Sequence, residues 1–413
     1  MGNGTAAALG LVLLLLLTQG FGPAELVVVV AIIAVIDGGQ MFLDATVNIG
    51  MIHTASRGTQ DGQPSREALR VGFLTKMAVG LLFAVCTALA ATPMSLALVG
   101  DTSLTKTIML AGVAAMIAGL QSHILAVLTS HGAFARLSVV SLFKNGLRIA
   151  VSVPLLWQSD PDPVRVAQLI CLMTALNLGL SATTVSWAFL RASGGMLEPF
   201  RKMMSVNGWL FLSAVAMLAG RLDVWLVGWL SSAEEAGYYA VAAQLCVGVG
   251  VVSQALITTF LPTVSRFECK EDLLDFLRRT AQYGAPLVLA PVLAWFLAEP
   301  VIGLIFGTAY VSAAPIFVAL FTASIMTVIG IPLMMMLLSI DQARIIAIGS
   351  IAQTGLRIGL GTITVPLFGG LGLALSDLVS RIVAMSAITR IILKALKTRE
   401  AAEPSGRDTL AEG

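Results

Sequence analysis

Eight ionisable residues of this 413-residue chain lie inside apolar segments, where a charge is costly. These residues are Asp37, Asp44, Arg148, Arg221, Asp223, Arg357, Asp377 and Arg381. An arginine at the centre of a membrane helix costs roughly 2.5–3.5 kcal/mol, so its side chain should face other protein or a water-filled cavity. Buried charges of this kind bind ionic substrates, carry coupling ions or neutralise one another.

Arginines are the candidates for binding a substrate. Arg148 and Arg357 each lie near the middle of an apolar segment, and a shift of 209 residues places one on the other. Guanidinium stays charged and binds phosphate through paired hydrogen bonds, so these two suit a phosphate or diphosphate headgroup. The alternative is that each arginine only neutralises a buried carboxylate. Arg221 and Arg381 are further candidates, although Asp377 lies four residues before Arg381 on one helix and can neutralise it.

Aspartates are the candidates for ion coupling. Asp37, Asp44 and Asp223 each place a carboxylate within an apolar segment, where it can take up a proton or help to hold Na⁺. Each of them can equally be the partner of a buried arginine. Asp37 and Asp223 are the leading candidates, because neither has an obvious partner on its own helix face.

The elements that carry these residues are predicted to be membrane helices. Hydrophobic residues make up 57% of the chain and charged residues 12%, which is too little charge to cover a soluble protein of this size. Apolar stretches of about twenty residues, the length of a membrane span, recur along the chain. We place twelve spans at 3–20, 26–53, 69–91, 104–129, 137–157, 165–190, 204–230, 237–262, 278–298, 311–339, 344–366 and 370–394.

Basic residues are divided unequally between the two sides of these spans. The loops after even-numbered spans hold most of the Lys and Arg, for example Arg66, Arg136 and Lys270, whereas the other loops hold mainly acids. By the positive-inside rule the basic side is cytoplasmic, so an even number of spans puts both termini in the cytoplasm. Lys76 lies near a cytoplasmic helix end and is expected to extend its ammonium group to the membrane surface.

An internal repeat relates the two halves of the chain. Residues 146–149 and 355–358 both read Gly-Leu-Arg-Ile, and the same shift places Arg57 on Arg266. Six spans in each half give both halves one orientation, as parallel repeats about an axis along the membrane normal. The sequence therefore predicts an all-α polytopic membrane protein of about twelve helices in two six-helix lobes around a central cavity. The predicted units are an N-terminal lobe at 1–195, a C-terminal lobe at 196–399 and a disordered cytoplasmic tail at 400–413.

Several other function classes are not indicated. A net charge of +2 gives no reason to expect nucleic-acid binding. Four cysteines are scattered singly, and the sequence contains no Walker motif, Rossmann fingerprint or Cys/His cluster. We therefore expect no metal, no cofactor and no catalytic site.

Three segments resemble the polysaccharide or O-antigen flippases of the multidrug/oligosaccharidyl-lipid/polysaccharide exporter superfamily. They are RLDVWLVGWLSSAEEAGYYAVAAQL at 221–245, FLPTVSRF at 260–267 and IGLIFGTAYVSAAPIFVAL at 302–320. In the first half, GFGPAELVVVVAIIAV at 20–35 is similar to the loop after the first helix of that family. The resemblance covers nearly the whole chain and implies two six-helix lobes around a cationic cavity.

The resemblance also implies a function and partners. Such proteins translocate undecaprenyl-diphosphate-linked oligosaccharides from the cytoplasmic to the periplasmic leaflet of the bacterial inner membrane. The implied partners are this lipid-linked oligosaccharide, membrane lipids, a coupling ion (H⁺ or Na⁺) and a polysaccharide polymerase or export machinery. The alternatives are a multidrug antiporter of the same fold, a major-facilitator transporter and a membrane enzyme. A basic midplane favours the flippase over the antiporter, and short outer loops disfavour the enzyme.

Overall fold

In the computed structural model the described part of the chain consists of helices joined by short turns and contains no strand. Eight described helices are long and apolar enough to cross a membrane. The predicted all-α membrane class is therefore confirmed, whereas the count of about twelve helices stays a prediction. The described residues are 2–57, 65–131, 162–192, 195–204, 222–264, 284–339 and 343–402, with scattered positions within 133–154, 215–220 and 275–282.

Ten α-helices have defined bounds. They are α1 Gly2–Gly20, α2 Pro23–Arg57, α3 Arg66–Val99, α4 Thr105–Ser130, α5 Pro163–Ala182, α6 Asp223–Leu230, α7 Ala233–Val264, α8 Ala290–Phe306, α9 Ala313–Ser339 and α10 Ala343–Ala402. Short 3₁₀ helices lie at Trp187–Arg191, Ala285–Leu289 and Thr308–Tyr310. The predicted spans 137–157 and 204–230 and the predicted tail fall largely outside the described residues.

Local sequence signals explain several helix ends. The Ser65 hydroxyl accepts a hydrogen bond from the backbone N–H of Ala68 and caps the start of α3. Asp162 caps α5 in the same way, and Pro163 occupies the first turn, where its missing N–H costs nothing. Gly369 has φ +57° and turns the chain between two helical arms of α10, so the spans predicted at 344–366 and 370–394 lie on the two sides of this turn. The Thr364 and Ser376 hydroxyl oxygens are 2.9 Å apart across it.

Four of the chain's turns meet at one end of the bundle, which we call the closed end. Phe21, Leu98, Gly228, Gly237 and Tyr310 lie there, at the α1–α2, α3–α4, α6–α7 and α8–α9 connections. The bend of α10 joins them, because the carboxylate of Glu235 accepts a hydrogen bond from the N–H of Gly370 at 2.8 Å. The opposite end, where α2 stops and α3 begins at Arg66, we call the basic end.

A single hydrophobic core joins the two halves of the chain at the closed end. It combines most residues of 26–36 on α2 with residues 236–242 of α7. Gly237 allows this contact, because a Cβ there would lie 2.1 Å from the carbonyl oxygen of Pro23. The hydroxyl of Tyr310 also donates to the carbonyl oxygen of Phe21 at 2.7 Å. The halves are therefore held together at this end by apolar packing and a direct hydrogen bond.

Towards the basic end the described residues form two separate cores. One belongs to the first half and includes Met51, Leu69 and Phe189. The other belongs to the second half, where Ile331 and Met335 pack against partly buried neighbours on α7. Helices α2 to α5 pack on one another, as do α6 to α10. Among the described residues, the two helix groups thus share one core at the closed end and have separate cores towards the basic end.

Candidate functional site

Arg148 forms an ion pair with Asp37 where the two helix groups begin to part. The guanidinium Nη2 lies 2.9 Å from Asp37 Oδ1, and Nη1 lies 3.4 Å from Oδ2. Asp37 follows Ile36, the last residue that α2 contributes to the shared core. Arg148 is 7% exposed, whereas the Asp37 side chain is 38% exposed. The pair is therefore accessible from its carboxylate side.

Arg357 lies in a larger group of charges that we call the Arg357 cluster, formed with Asp223, Asp377, Arg381 and Tyr239. Arg357 Nη1 lies 3.1 Å from Asp223 Oδ2 and 3.7 Å from Asp377 Oδ1. The Tyr239 hydroxyl donates to Asp223 Oδ2 at 3.1 Å, and Arg381 Nε donates to Asp377 Oδ2 at 2.9 Å. The cluster connects α6, α7 and both sides of the α10 bend. Two arginines face two aspartates, so its formal charge is balanced.

Lys76 and Asp44 form a third buried network, within the first half of the chain. Lys76 Nζ lies 2.8 Å from Asp44 Oδ1 and donates to the carbonyl oxygen of Gly119 at 3.1 Å. The Ser122 hydroxyl bonds to the same ammonium group and to Asp44. Lys76 is 1% exposed. The expectation that Lys76 extends to the membrane surface is wrong, because these acceptors satisfy its charge inside the protein.

The structure pairs most of the sequence-predicted site residues with one another. Arg148 and Arg357 belong to separate clusters. The repeat does not relate the aspartates that pair with them, because the 209-residue shift places Asp37 on Cys246. In the described part, three buried arginines face three aspartates, so these residues do not produce the cationic excess that the resemblance implies. Arg221 lies outside the described residues.

Sequence reasoning missed two contributors to these networks. The first is the pairing of Lys76 with Asp44. Lys76 lies ten residues after the start of α3 at Arg66, and Asp44 lies thirteen residues before the end of α2 at Arg57. Their similar depth in neighbouring helices was the signal that could have linked them. Tyr239 carried no signal that pointed to Asp223, because their contact depends on how α6 and α7 pack.

Removing Arg357 is expected to destabilise the protein by roughly 3–5 kcal/mol, since it leaves buried carboxylates without their shared cation. Asp377 keeps Arg381, whereas Asp223 keeps the Tyr239 hydroxyl as its hydrogen-bond donor among the described residues. Arg357→Ala/Asp223→Asn should therefore recover most of the loss. Thermal unfolding of detergent-purified variants measures both effects.

The matched control for this prediction is Arg279→Ala. Arg279 forms an exposed ion pair with Asp275 at 3.5 Å, so its loss should cost less than about 1 kcal/mol. Equal melting temperatures for Arg357→Ala and Arg279→Ala would contradict the assignment of Arg357 to a structural charge cluster.

The helix bundle, which carries these charge clusters in its interior, has the fold of polytopic membrane transporters. The structure is similar to a multidrug resistance transporter of the MATE family and MOP superfamily in an inward-facing conformation, with TM-score 0.78 and 14% identity over 96% of each chain. It is also similar to the lipid II flippase MurJ in an inward closed conformation, with TM-score 0.75 and 13% identity over 94% of this chain and 86% of that one. At such identities the likeness shows the fold.

The sequence pattern of the family described as polysaccharide biosynthesis protein matches residues 16–315. The chain belongs to this family. A curated relative is the probable low-salt glycan biosynthesis flippase Agl15 of Haloferax volcanii, 21% identical over 206 residues. That alignment covers 48% of this chain and 44% of the relative, so it spans less than half the relative's length. The resemblance to polysaccharide flippases of the exporter superfamily is confirmed.

Proposed function

We propose that this protein flips a lipid-linked glycan across a membrane by alternating access. The observation that supports this most is the shared core at the closed end, with separate cores at the basic end. A cleft that is closed on one side and open on the other has the geometry of one state of an alternating-access cycle. The match to the family of polysaccharide biosynthesis proteins supports a glycan as the transported group.

Orientation follows from the charges at the two ends. Arg66 and Arg136 lie at the basic end, so the positive-inside rule makes that end cytoplasmic. The cleft then opens to the cytoplasmic side of a bacterial inner membrane, where a lipid-linked glycan is assembled. Both termini lie on the same cytoplasmic side. In this proposal the lipid is undecaprenyl diphosphate, as the resemblance implies, and its chain stays in the bilayer while the headgroup crosses between the lobes.

Arg148 is the residue that we assign to the first contact with the substrate diphosphate. Its partner Asp37 is partly exposed, so protonation or displacement of that carboxylate would free the guanidinium group for a phosphate. Arg357 and Arg381, further inside the Arg357 cluster, are assigned to later contacts, with Arg221 as an additional candidate. These contacts would form as the two lobes move relative to one another.

Asp37 and Asp223 are the residues that we assign to ion coupling. Each accepts a charged hydrogen bond from a candidate substrate-binding arginine. Protonation of either carboxylate weakens that ion pair and leaves its arginine available to phosphate. Coupling a proton to the substrate in this way needs no further group. Asp44 is a weaker candidate, because Lys76 and Ser122 already engage it.

A multidrug antiporter is the second candidate function, and the charge balance favours it. In the described charge networks four aspartates face three arginines and Lys76, so a cation is not repelled by these residues as it would be by a cationic cavity. Purified protein in proteoliposomes, offered either a lipid-linked glycan or an organic cation, distinguishes the two functions.

A further inference from the structure

A polar cavity of about 360 Å³ lies at the basic end of the first half, apart from the three charge networks. It is enclosed by the start of α3, the end of α4 and the 3₁₀ helix at Trp187–Arg191. Arg66, His131 and Arg136 lie at its exposed rim. The buried side chains of Leu69 and Phe189 are among the apolar residues on its floor. The cavity thus combines cationic groups with an apolar base.

The two rim arginines have no acidic partner among the described residues. Within the described part of the chain, neither Arg66 nor Arg136 forms an ion pair. By contrast, Lys202 and Arg279, exposed cations elsewhere, each pair with an acid one turn away, at 2.7 and 3.5 Å. The carboxylate next to Arg66 in the sequence, Glu67, accepts a hydrogen bond from the Ser65 hydroxyl at 3.0 Å.

One further group at the cavity suits an oxyanion. Ser186 begins the 3₁₀ helix at the cavity wall, and its hydroxyl makes no capping hydrogen bond. Paired guanidinium groups with a nearby hydroxyl match the acceptor oxygens of a phosphate.

We propose that this cavity binds the phosphate of an anionic phospholipid from the adjacent membrane leaflet. Its place at the helix ends puts the rim at the depth of lipid headgroups, where basic pockets between membrane helices recruit acidic lipids. The apolar floor suits the glycerol and upper acyl carbons, which free phosphate lacks. This lipid is a resident of the protein, and the site does not depend on which molecule the cleft transports.

Native mass spectrometry of the detergent-purified protein, titrated separately with phosphatidylglycerol, phosphatidylcholine and inorganic phosphate, tests this proposal. Phosphatidylglycerol should bind more tightly than phosphatidylcholine, whose choline compensates its phosphate. Arg66→Gln/Arg136→Gln should weaken phosphatidylglycerol binding by about thirtyfold, and each single variant by about fivefold. The control Lys202→Gln/Arg279→Gln removes the same charge elsewhere and should leave binding within about twofold of the wild type.

Three outcomes would overturn the proposal. The first is equal affinity for the two lipids in the wild type. The second is an equal loss of phosphatidylglycerol binding in the Lys202/Arg279 control, which would show only a general effect of net charge. The third is inorganic phosphate binding as tightly as the lipid, which would make the cavity a site for the free anion. If the double variant at Arg66 and Arg136 does not fold, the single variants decide by the same comparison.

Discussion

Arg148→Ala should slow glycan transport by roughly tenfold or more while leaving the protein folded. A charge-assisted hydrogen bond contributes roughly 1.5–3 kcal/mol, and 1.4 kcal/mol is a factor of ten in affinity. The variant removes the ion pair of Asp37 with Arg148, but the Asp37 side chain is 38% exposed, so the stability cost is expected to be smaller than at Arg357. Arg148→Lys should recover part of the rate, because it keeps the charge but loses the paired geometry of guanidinium.

A charge swap separates substrate binding from helix packing at this pair. Arg148→Asp/Asp37→Arg keeps an ion pair between the same two positions and should restore the melting temperature. If Arg148 binds the diphosphate from its own position, transport stays low in the swapped protein. Recovery of both stability and transport would mean that the pair only holds helices together. Arg165→Ala, at an exposed pair with Asp162, is the matched control and should transport normally.

A disulfide across the closed end should reduce transport to the background of protein-free vesicles. A Cβ at Gly228 would lie 2.7 Å from Leu98 Cδ1 and 3.8 Å from Leu98 Cα, so cysteines at these two positions are within bonding range. Leu98 is on α3 and Gly228 is on α6, one in each helix group. Because alternating access requires this end to open, oxidation of Leu98→Cys/Gly228→Cys should stop the cycle and a reductant should restart it.

The disulfide experiment uses a protein whose four native cysteines are replaced, so that only the new pair can react. They are Cys86, Cys171, Cys246 and Cys269. Each single cysteine variant, treated with the same oxidant, should keep its transport rate. Undiminished transport by fully crosslinked protein would show that the closed end does not need to open.

The positions of the buried charges were predictable from the sequence, but their partners were not. A charged residue in an apolar segment is visible in one dimension, which is why Arg148, Arg357 and the aspartates stood out. Asp37, the partner of Arg148, is 111 residues away in the chain. Their contact forms only when the two segments that carry them pack against each other. The internal repeat gave no help, because it relates the two arginines and not their acids.

The helical fold was predictable to a similar limit. Apolar length and turn residues located most spans, since both are local properties of the chain. The contact of Gly237 with the Pro23 carbonyl, and the separation of the two cores at the basic end, depend on long-range packing and carry no pattern in the sequence. The division into one shared core and two separate cores therefore came from the structure alone.

The most direct test of the proposed function is translocation of a lipid-linked glycan by the purified protein in proteoliposomes. A polyprenyl-diphosphate oligosaccharide, labelled on its sugar, is placed in the inner leaflet, and an added glycosidase reports the sugar that reaches the outside. The account predicts faster cleavage than in protein-free liposomes, slower cleavage with Arg148→Ala, and no cleavage above background with the oxidised Leu98→Cys/Gly228→Cys protein. Folded protein that gives no acceleration, or that transports an organic cation and not the glycan, would contradict it.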